Sequence, residues 1–327
     1  MMLEGLSAIT LNLLSIAVLA LFVSVIFASF FIPLLLRGLK KCTVNVQKVT
    51  LWVLVTLPWW VALSCITILW PWHSSPVSVS WVERLAHWHH IDVFHFTSWH
   101  AITLYGLVLY ITYTAIKGLL RLNTQSRSLQ ALIALSGEEQ RKSDDALHFY
   151  SLPVTLPTAF VSGMISPKVY VTEALQKKIS PAQLNIILRH EFAHVKARDP
   201  LFRSLFTACT MLFPPPVKRR LIKHYVLLTE LIADNAVAQH YDNLEVAQTL
   251  IDVARHQQGG IFSNATSAIN YFGNDATTYR VQCLISPRLS SSKGGVGFAI
   301  ALIALMPFLT ASAVDSLHHI IETLFIH

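Results

Sequence analysis

From Leu6 to Leu36 the chain carries no charged side chain. At 1.5 Å per helical residue such a run exceeds the roughly 30 Å of a bilayer's hydrocarbon core, so it reads as a tilted membrane span. Thr50 to Trp70 and Ala101 to Leu120 repeat the pattern, and Lys117 is long enough to reach the interface from its position near the end of the latter. Gly294 to Ala313 is a fourth such segment. One of them alone would pass for a buried core helix, but four in one chain would not. Composition agrees, with 53% hydrophobic and 13% charged residues against about 25% charged in soluble domains.

Lys and Arg set the expected orientation. Arg37, Lys40, Lys41 and Lys48 follow the first span, and Arg121, Arg127, Arg141 and Lys142 follow the third. The loop over 71–98 holds only Arg84, and the tail after the fourth span holds neither Lys nor Arg. The positive-inside rule places the N-terminus and second loop outside and the segment after the third span in the cytoplasm. A cleavable signal peptide is not expected, because the first apolar segment is long and lacks a basic leader. Three parts follow: a membrane region over 1–121 with spans near 6–36, 50–70 and 101–120, a domain over 122–292, and a last span (294–313) with its tail over 293–327.

Residues 190–194 of that middle domain read His-Glu-Phe-Ala-His. Four residues apart on a helix, His190 and His194 share one face, as two imidazole ligands of one zinc ion require. Glu191 beside them suits a general base. Ser180, Pro181 and Gln183 give the helix a start: an N-cap, a first-turn proline and a capping-box partner. Leu184, Ile187 and Leu188 supply an apolar stripe, and Pro200 marks the stop. An incidental pair of histidines in a core helix would leave Glu191 buried without a partner, which is costly.

A catalytic zinc needs a third protein ligand and an open position. Glu230 is the best candidate, within the apolar stretch Leu227 to Ala233, with Asp234 four residues on and hence on the same helical face. Asp234 would accept the free ring N–H of His190 or His194 and fix its tautomer. His256, Tyr271 and Arg280 are chemically able to stabilise an oxyanion, and the sequence does not select among them.

His-Glu-Phe-Ala-His followed by Val195 to Asp199, and Glu-Leu-Ile-Ala-Asp-Asn-Ala-Val-Ala over 230–238, resembles the BlaR/MecR-type membrane metallopeptidases, the antirepressor proteases of sensor-transducer systems. Pro157, Gly163, Pro167 and the strand-like Val169 to Val171 fit that family's segment before the zinc helix, and Tyr279 to Leu284 its helix before the last span. The resemblance implies a mostly α membrane protein with four transmembrane helices and a cytoplasmic α+β zincin-like (gluzincin) domain inserted between helices 3 and 4. It also implies one catalytic Zn2+, an extended substrate pairing with an edge strand near Thr155 to Ser162, and a winged-helix transcriptional repressor as substrate, with self-cleavage as a companion. A quality-control protease of the HtpX kind uses similar zinc residues and is the alternative. A non-catalytic zinc-binding receptor or scaffold is a further one, disfavoured by the intact Glu191. The family's penicillin-binding sensor domain is not found after the fourth span, and no S-x-x-K sensor motif with its partners is present, so beta-lactam detection is not expected. Self-association stays compatible with all of these readings.

Several further features complete the reading. His73, His87, His89, His90, His95 and His100 crowd the second loop together with four tryptophans. Interfacial anchoring explains them more simply than metal or pH sensing. Leu201 to Phe213 is apolar but too short to span, and is expected beneath the active site or at the membrane surface. Lys218-Arg219-Arg220 beyond it suits anionic lipid headgroups. The net charge of +7 is read as lipid attraction and topology, without direct nucleic-acid binding, since no helix-turn-helix or finger spacing is found. Cys42, Cys65, Cys209 and Cys283 are scattered and point neither to a disulfide framework nor to a cysteine metal site.

Overall fold

A computed structural model describes residues 2–40, 42–70, 93–143, 145, 147–258 and 267–286, with single positions between 297 and 314. The chain divides into two compact units, one formed by Met1–Leu119, Cys209–Arg219 and Ser291–His327, the other by Leu120–Ala208 and Arg220–Ser290.

In the first unit, apolar sequence becomes helix because a lipid-facing backbone must satisfy its hydrogen bonds internally. Helix α1 (Leu6–Leu39) and helix α2 (Val44–Leu69) pack together, burying Leu13, Ile16 and Ile32 of one and Leu51, Val55 and Val61 of the other. Helix α3 (Trp99–Ser136) is the third. Over Leu6–Leu39, Val44–Thr67 and Trp99–Leu120 these three are long and apolar enough to cross a membrane. The expected fourth span lies almost wholly outside the described residues.

Three findings in this part of the chain differ from or extend the sequence reading. The third span is expected to end at Leu120 and the middle domain to begin at residue 122, yet the helical backbone runs on to Ser136. Nothing in that stretch breaks a helix, because it contains neither Pro nor Gly between Leu119 and Ser136. Strand β1 (Met2–Glu4) pairs antiparallel with strand β2 (Val93–His95), with Leu3 opposite Phe94, and Asn12 donates from Nδ2 to the Val93 carbonyl at 3.0 Å. Of the six loop histidines, His95 and His100 are described. His100 stacks on Trp99 at 3.7 Å, and its Nδ1 lies 2.6 Å from the buried Ser15 hydroxyl. The other four lie outside the described residues.

The short apolar segment is also resolved into parts. Helix α6, Asp199–Cys209 in chain order after two helices given below, leads into a turn at Thr210 to Pro214. The Tyr110 hydroxyl donates to the Met211 carbonyl at 2.7 Å, so this turn belongs with the apolar helices of the first unit. Three successive prolines, Pro214, Pro215 and Pro216, follow and would be expected to break the chain. The last two instead open helix α7 (Pro215–Val237), where a proline's missing N–H costs nothing.

The second unit carries a four-stranded mixed sheet in the order β3-β4-β6-β5. Its strands are β3 (Glu139–Lys142), β4 (His148–Leu152), β5 (Ala159–Ser162) and β6 (Lys168–Thr172). Strand β6 is central and buried, with β4 parallel on one side and β5 antiparallel on the other. The buried Thr172 hydroxyl donates to the Leu156 carbonyl at 2.8 Å and accepts from the Thr158 N–H at 3.0 Å, which fixes the entry to the edge strand β5. Helix α4 (Glu173–Gln176) leads to α5 (Pro181–Ala197), and α8 (Asn243–Gln258) and α9 (Ser267–Ile285) complete the unit. Helix α5 is packed on two sides. Ile187 and Leu188 join Phe149, Val169, Val171 and Leu175 against the sheet, while Ile186 joins Val237, Val246, Ala247 and Leu284 of the surrounding helices.

Gly163 turns β5 into β6 with φ of 109°, a region that L side chains rarely adopt, and an added Cβ would sit 2.5 Å from the Ser166 carbonyl oxygen. Gly163→Ala is expected to destabilise this unit by about 1–3 kcal/mol. Denaturant unfolding of the two proteins in detergent measures it, and a difference within about 0.5 kcal/mol, the usual range for a neutral surface change, would speak against the strain.

Candidate metal centre

The local sequence of α5 sets the site. Ser180 caps the helix: its hydroxyl accepts from the Gln183 N–H at 3.2 Å, and the Gln183 side chain accepts from the Ser180 N–H at 3.0 Å, a complete capping box with Pro181 in the first turn. The helix ends at Ala197 because Arg198 adopts the left-handed conformation, with φ of 51°, and its N–H closes back on His194 and Val195. A non-glycine residue there gives up roughly 1 kcal/mol. Pro200 therefore lies in the first turn of α6 and does not merely follow a helix stop. The reversal returns Asp199 toward the helix it has just left.

On α5 the residues Ile186, His190 and His194 recur at intervals of four and share one face. Ile186 turns toward the core formed with α7, α8 and α9, so the two imidazoles face α7 and its Glu230. Three ligand atoms converge there. His190 Nε2 and His194 Nε2 lie 3.2 Å apart, His190 Nε2 is 3.3 Å from Glu230 Oε2, and His194 Nε2 is 3.7 Å from Glu230 Oε1. Ligands about 2.0–2.1 Å from a tetrahedral zinc stand about 3.3–3.4 Å from one another, so the separations fit.

The outer hydrogen bonds make the same point chemically. His190 Nδ1–H donates to Asp234 at 3.0 Å, and His194 Nδ1–H donates to Asp199 at 2.7 Å. Carboxylates only accept, so each Nδ1 carries a proton, and an ion at the centre would meet a bare Nε2 from both rings. Without an ion, a proton on His190 Nε2 takes its place and donates toward Glu230 at 3.3 Å. Among the described residues, His190, His194 and Glu230 form a group able to hold a metal ion.

Electrostatics follow from this crowding. Burial opposes a charge on His190, but hydrogen bonds to Asp234 and Glu230 outweigh it and push the ring up to about 9. Burial likewise works against ionised Glu230, yet the bond to His190 and the Arg280 charge bring it down to about 2. Asp234 is held low against its burial by Arg280 and His190. Burial pushes the Glu191 carboxyl up, and Glu191 lines the same cavity as His190, Glu230 and Asp234.

Asp234, expected to partner one histidine or the other, engages His190. The partner of His194 is Asp199, a residue the sequence alone does not single out. Its position at the opening of a new helix, five residues beyond His194 and just before Pro200, was the available signal. Arg280 was considered only as an oxyanion donor. Its guanidinium instead grips Asp234 through Nε and Nη2, both at 2.7 Å, and Glu230 through Nη1 at 3.0 Å. With all three nitrogens so engaged, Arg280 holds the carboxylates in place. Without it, the buried Asp234 would lose its counter-ion, a loss of the order of 3–5 kcal/mol for a buried pair, and the partly exposed Glu230 would lose its neighbouring charge. His256 lies on α8 and is not among the residues that line the cavity. Tyr271 is on the α9 backbone, with its side chain outside the described residues. Farther out, Asp145 accepts from Arg189 at 2.9 Å and from the Tyr241 hydroxyl at 3.0 Å, bracing α5 beside His190. Arg189 and Tyr241 hold its carboxyl below the ordinary range.

A helix-borne His-Glu-x-x-His pair, a carboxylate from a second helix and aspartates behind both imidazoles define a metallopeptidase-type centre. Residues 123–219 match Peptidase family M48, which supports a zinc metallopeptidase domain of a membrane-type family. The match includes α5 with both histidines and Asp199, and ends before Glu230, Asp234 and Arg280, whose inclusion rests on the geometry above. No curated protein matches the chain.

Asp199→Ala and Asp234→Ala should each weaken zinc binding about 10–100-fold, as loss of the group behind a metal-bound imidazole typically does. Competition against a chromophoric chelator reads this directly, and affinities within twofold of wild type would show that the two aspartates do not orient the ligands.

Proposed function

We propose that this chain is a membrane-embedded zinc endopeptidase in signal transduction, with its peptidase unit in the cytoplasm. Its substrate is a cytoplasmic transcriptional repressor of the winged-helix kind, and it also cleaves itself. The observation that carries the peptidase part is the convergence of His190, His194 and Glu230 in a cavity that Glu191 also lines. The family match supports the same class. The three apolar helices support membrane residence, and the Lys and Arg distribution supports the orientation. The signalling role and the repressor rest on the resemblance of the two sequence motifs to BlaR/MecR-type proteins. The M48 match is equally compatible with an HtpX-like protease that removes damaged membrane proteins.

His190, His194 and Glu230 would hold a zinc ion, whose chemistry there would be that of a Lewis acid that makes water acidic enough to give up a proton near neutral pH. The residues of the chain do the rest. Glu191 accepts the proton of the attacking water as the new C–O bond forms, and delivers it to the leaving nitrogen as the C–N bond breaks. Asp199 and Asp234 keep both imidazoles in the tautomer that leaves Nε2 free. Strand β5 is at the sheet edge, and its Ala159 lines the cavity. An extended substrate adding to that edge would bring a backbone carbonyl past the ligands.

Glu191→Ala should retain zinc and lose cleavage by about 10²-fold or more, the scale of a general acid–base contribution. Zinc analysis of the purified protein, with immunoblots of self and of any co-encoded repressor, tests this. If wild type binds zinc and cleaves nothing under any inducing condition, the protein is a receptor or scaffold. If the repressor stays intact while damaged membrane proteins accumulate in the variant, the quality-control reading replaces the signalling one.

A further inference from the structure

The apolar span in helix α3, Trp99–Leu120, is 22 residues long. At 1.5 Å per residue that is close to the roughly 30 Å of a hydrocarbon core, so Leu120 lies near its edge. The Tyr110 hydroxyl, ten residues before Leu120, donates to the Met211 carbonyl at 2.7 Å. The Thr114 hydroxyl, six residues before it, lies 3.6 Å from the Met211 sulfur. The turn between α6 and α7 therefore meets α3 about 9–15 Å inside that edge, past the headgroups and among the acyl chains.

The turn suits such a solvent. A backbone group in lipid must find its partner within the protein. The Met211 carbonyl has Tyr110, the Phe213 N–H donates to the Thr210 carbonyl at 3.1 Å, and the Lys218 N–H donates to the Pro214 carbonyl at 2.9 Å. Pro214, Pro215 and Pro216 are exposed, and a proline has no N–H to leave unpaired. Three exposed prolines in a row thus present apolar surface without a backbone donor. Leu212 and Phe213 beside them are buried.

The flanking helices carry the same character. On one face of α6 the buried Phe206 stacks on Tyr225 of α7 at 4.2 Å. Another face presents Phe202 and Leu205, 41% and 47% exposed and three residues apart, hence in one stripe. From Leu201 to Thr229 the chain holds Arg203, Lys218, Arg219, Arg220 and Lys223 and no acidic residue. Each Lys or Arg near an anionic leaflet contributes about 1 kcal/mol. Arg219 and Arg220 stand about 6–8 Å along α7 from Pro215, and their long side chains extend that reach toward the headgroups.

We propose that Thr210 to Pro216 is a re-entrant segment. It enters the acyl region of the leaflet at the Leu120 end of α3 and leaves by the same side, with Phe202 and Leu205 at the lipid boundary. Its partner is the lipid itself, acyl chains at the prolines and anionic headgroups at the arginines. Helix α6 then carries the carboxylate behind His194 at one end and enters the bilayer at the other. This rests on α3 being a membrane span and is independent of peptide cleavage.

The test uses the full chain in nanodiscs of phosphatidylethanolamine and phosphatidylglycerol. A diazirine-bearing amino acid replaces Pro215, Leu205, Val108 or Leu244, one at a time. All four positions are exposed, so the probe needs no space in a core. After illumination, mass spectrometry separates lipid adducts, water adducts and protein cross-links. Val108, on α3, reports lipid, and Leu244, on α8 of the peptidase unit, reports water. The expected result is lipid adducts at 215 and 205 at the level of 108 and severalfold above 244. Water adducts at 215 and 205 at the level of 244 overturn the proposal. Protein cross-links there overturn it as well, because a second copy or another protein then covers the turn. Water adducts at 108 remove its premise, since α3 is then not a membrane span.

Discussion

Two imidazole lone pairs and a carboxylate pointed at one another are the arrangement on which the rest of this site depends. In the absence of a cation the arrangement is repulsive, and His190 responds by holding a proton up to about 9. The surrounding structure exists to enforce it. Asp234 and Asp199 fix the ring tautomers from behind, and Arg280 neutralises the carboxylates on α7. Each of these groups comes from a different place in the sequence, so the centre forms only when α5, α6, α7 and α9 are all in position.

The packing of α5 explains how that is achieved. Its sheet-facing side chains, Ile187 and Leu188, lock it to β4 and β6, and Ile186 locks it to the helical side. The histidines emerge along the line that Ile186 begins. A capped N-terminus and a left-handed C-terminus give α5 fixed ends, and the second of these also delivers Asp199. Local helix chemistry, core packing and metal chemistry thus draw on the same residues.

Much of this was legible in the sequence because it is local. The capping box at Ser180, the spacing of His190 and His194, and the spacing of Glu230 and Asp234 are all facts of helical periodicity. So are the three apolar helices, although α1 runs on to Leu39, α2 starts earlier, at Val44, and α3 continues to Ser136 where no residue breaks it. What could not be read is non-local or depends on a single backbone conformation. Nothing near Arg280 says that it will meet Asp234, forty-six residues earlier. Asp199 reaches His194 only because Arg198 takes a positive φ, which its residue type does not announce. The pairing of Met2–Glu4 with Val93–His95 joins segments whose short, mixed composition carries no strand signal.

The central claim is that His190, His194 and Glu230 hold one zinc ion. Zinc analysis and X-ray absorption on the purified full chain and on Glu230→Ala test it most directly. The account predicts one zinc per chain, with two imidazoles and oxygen ligands at about 2.0–2.1 Å, and loss of tight zinc binding in the variant. Sulfur in the coordination sphere, or full zinc retention without Glu230, would contradict it.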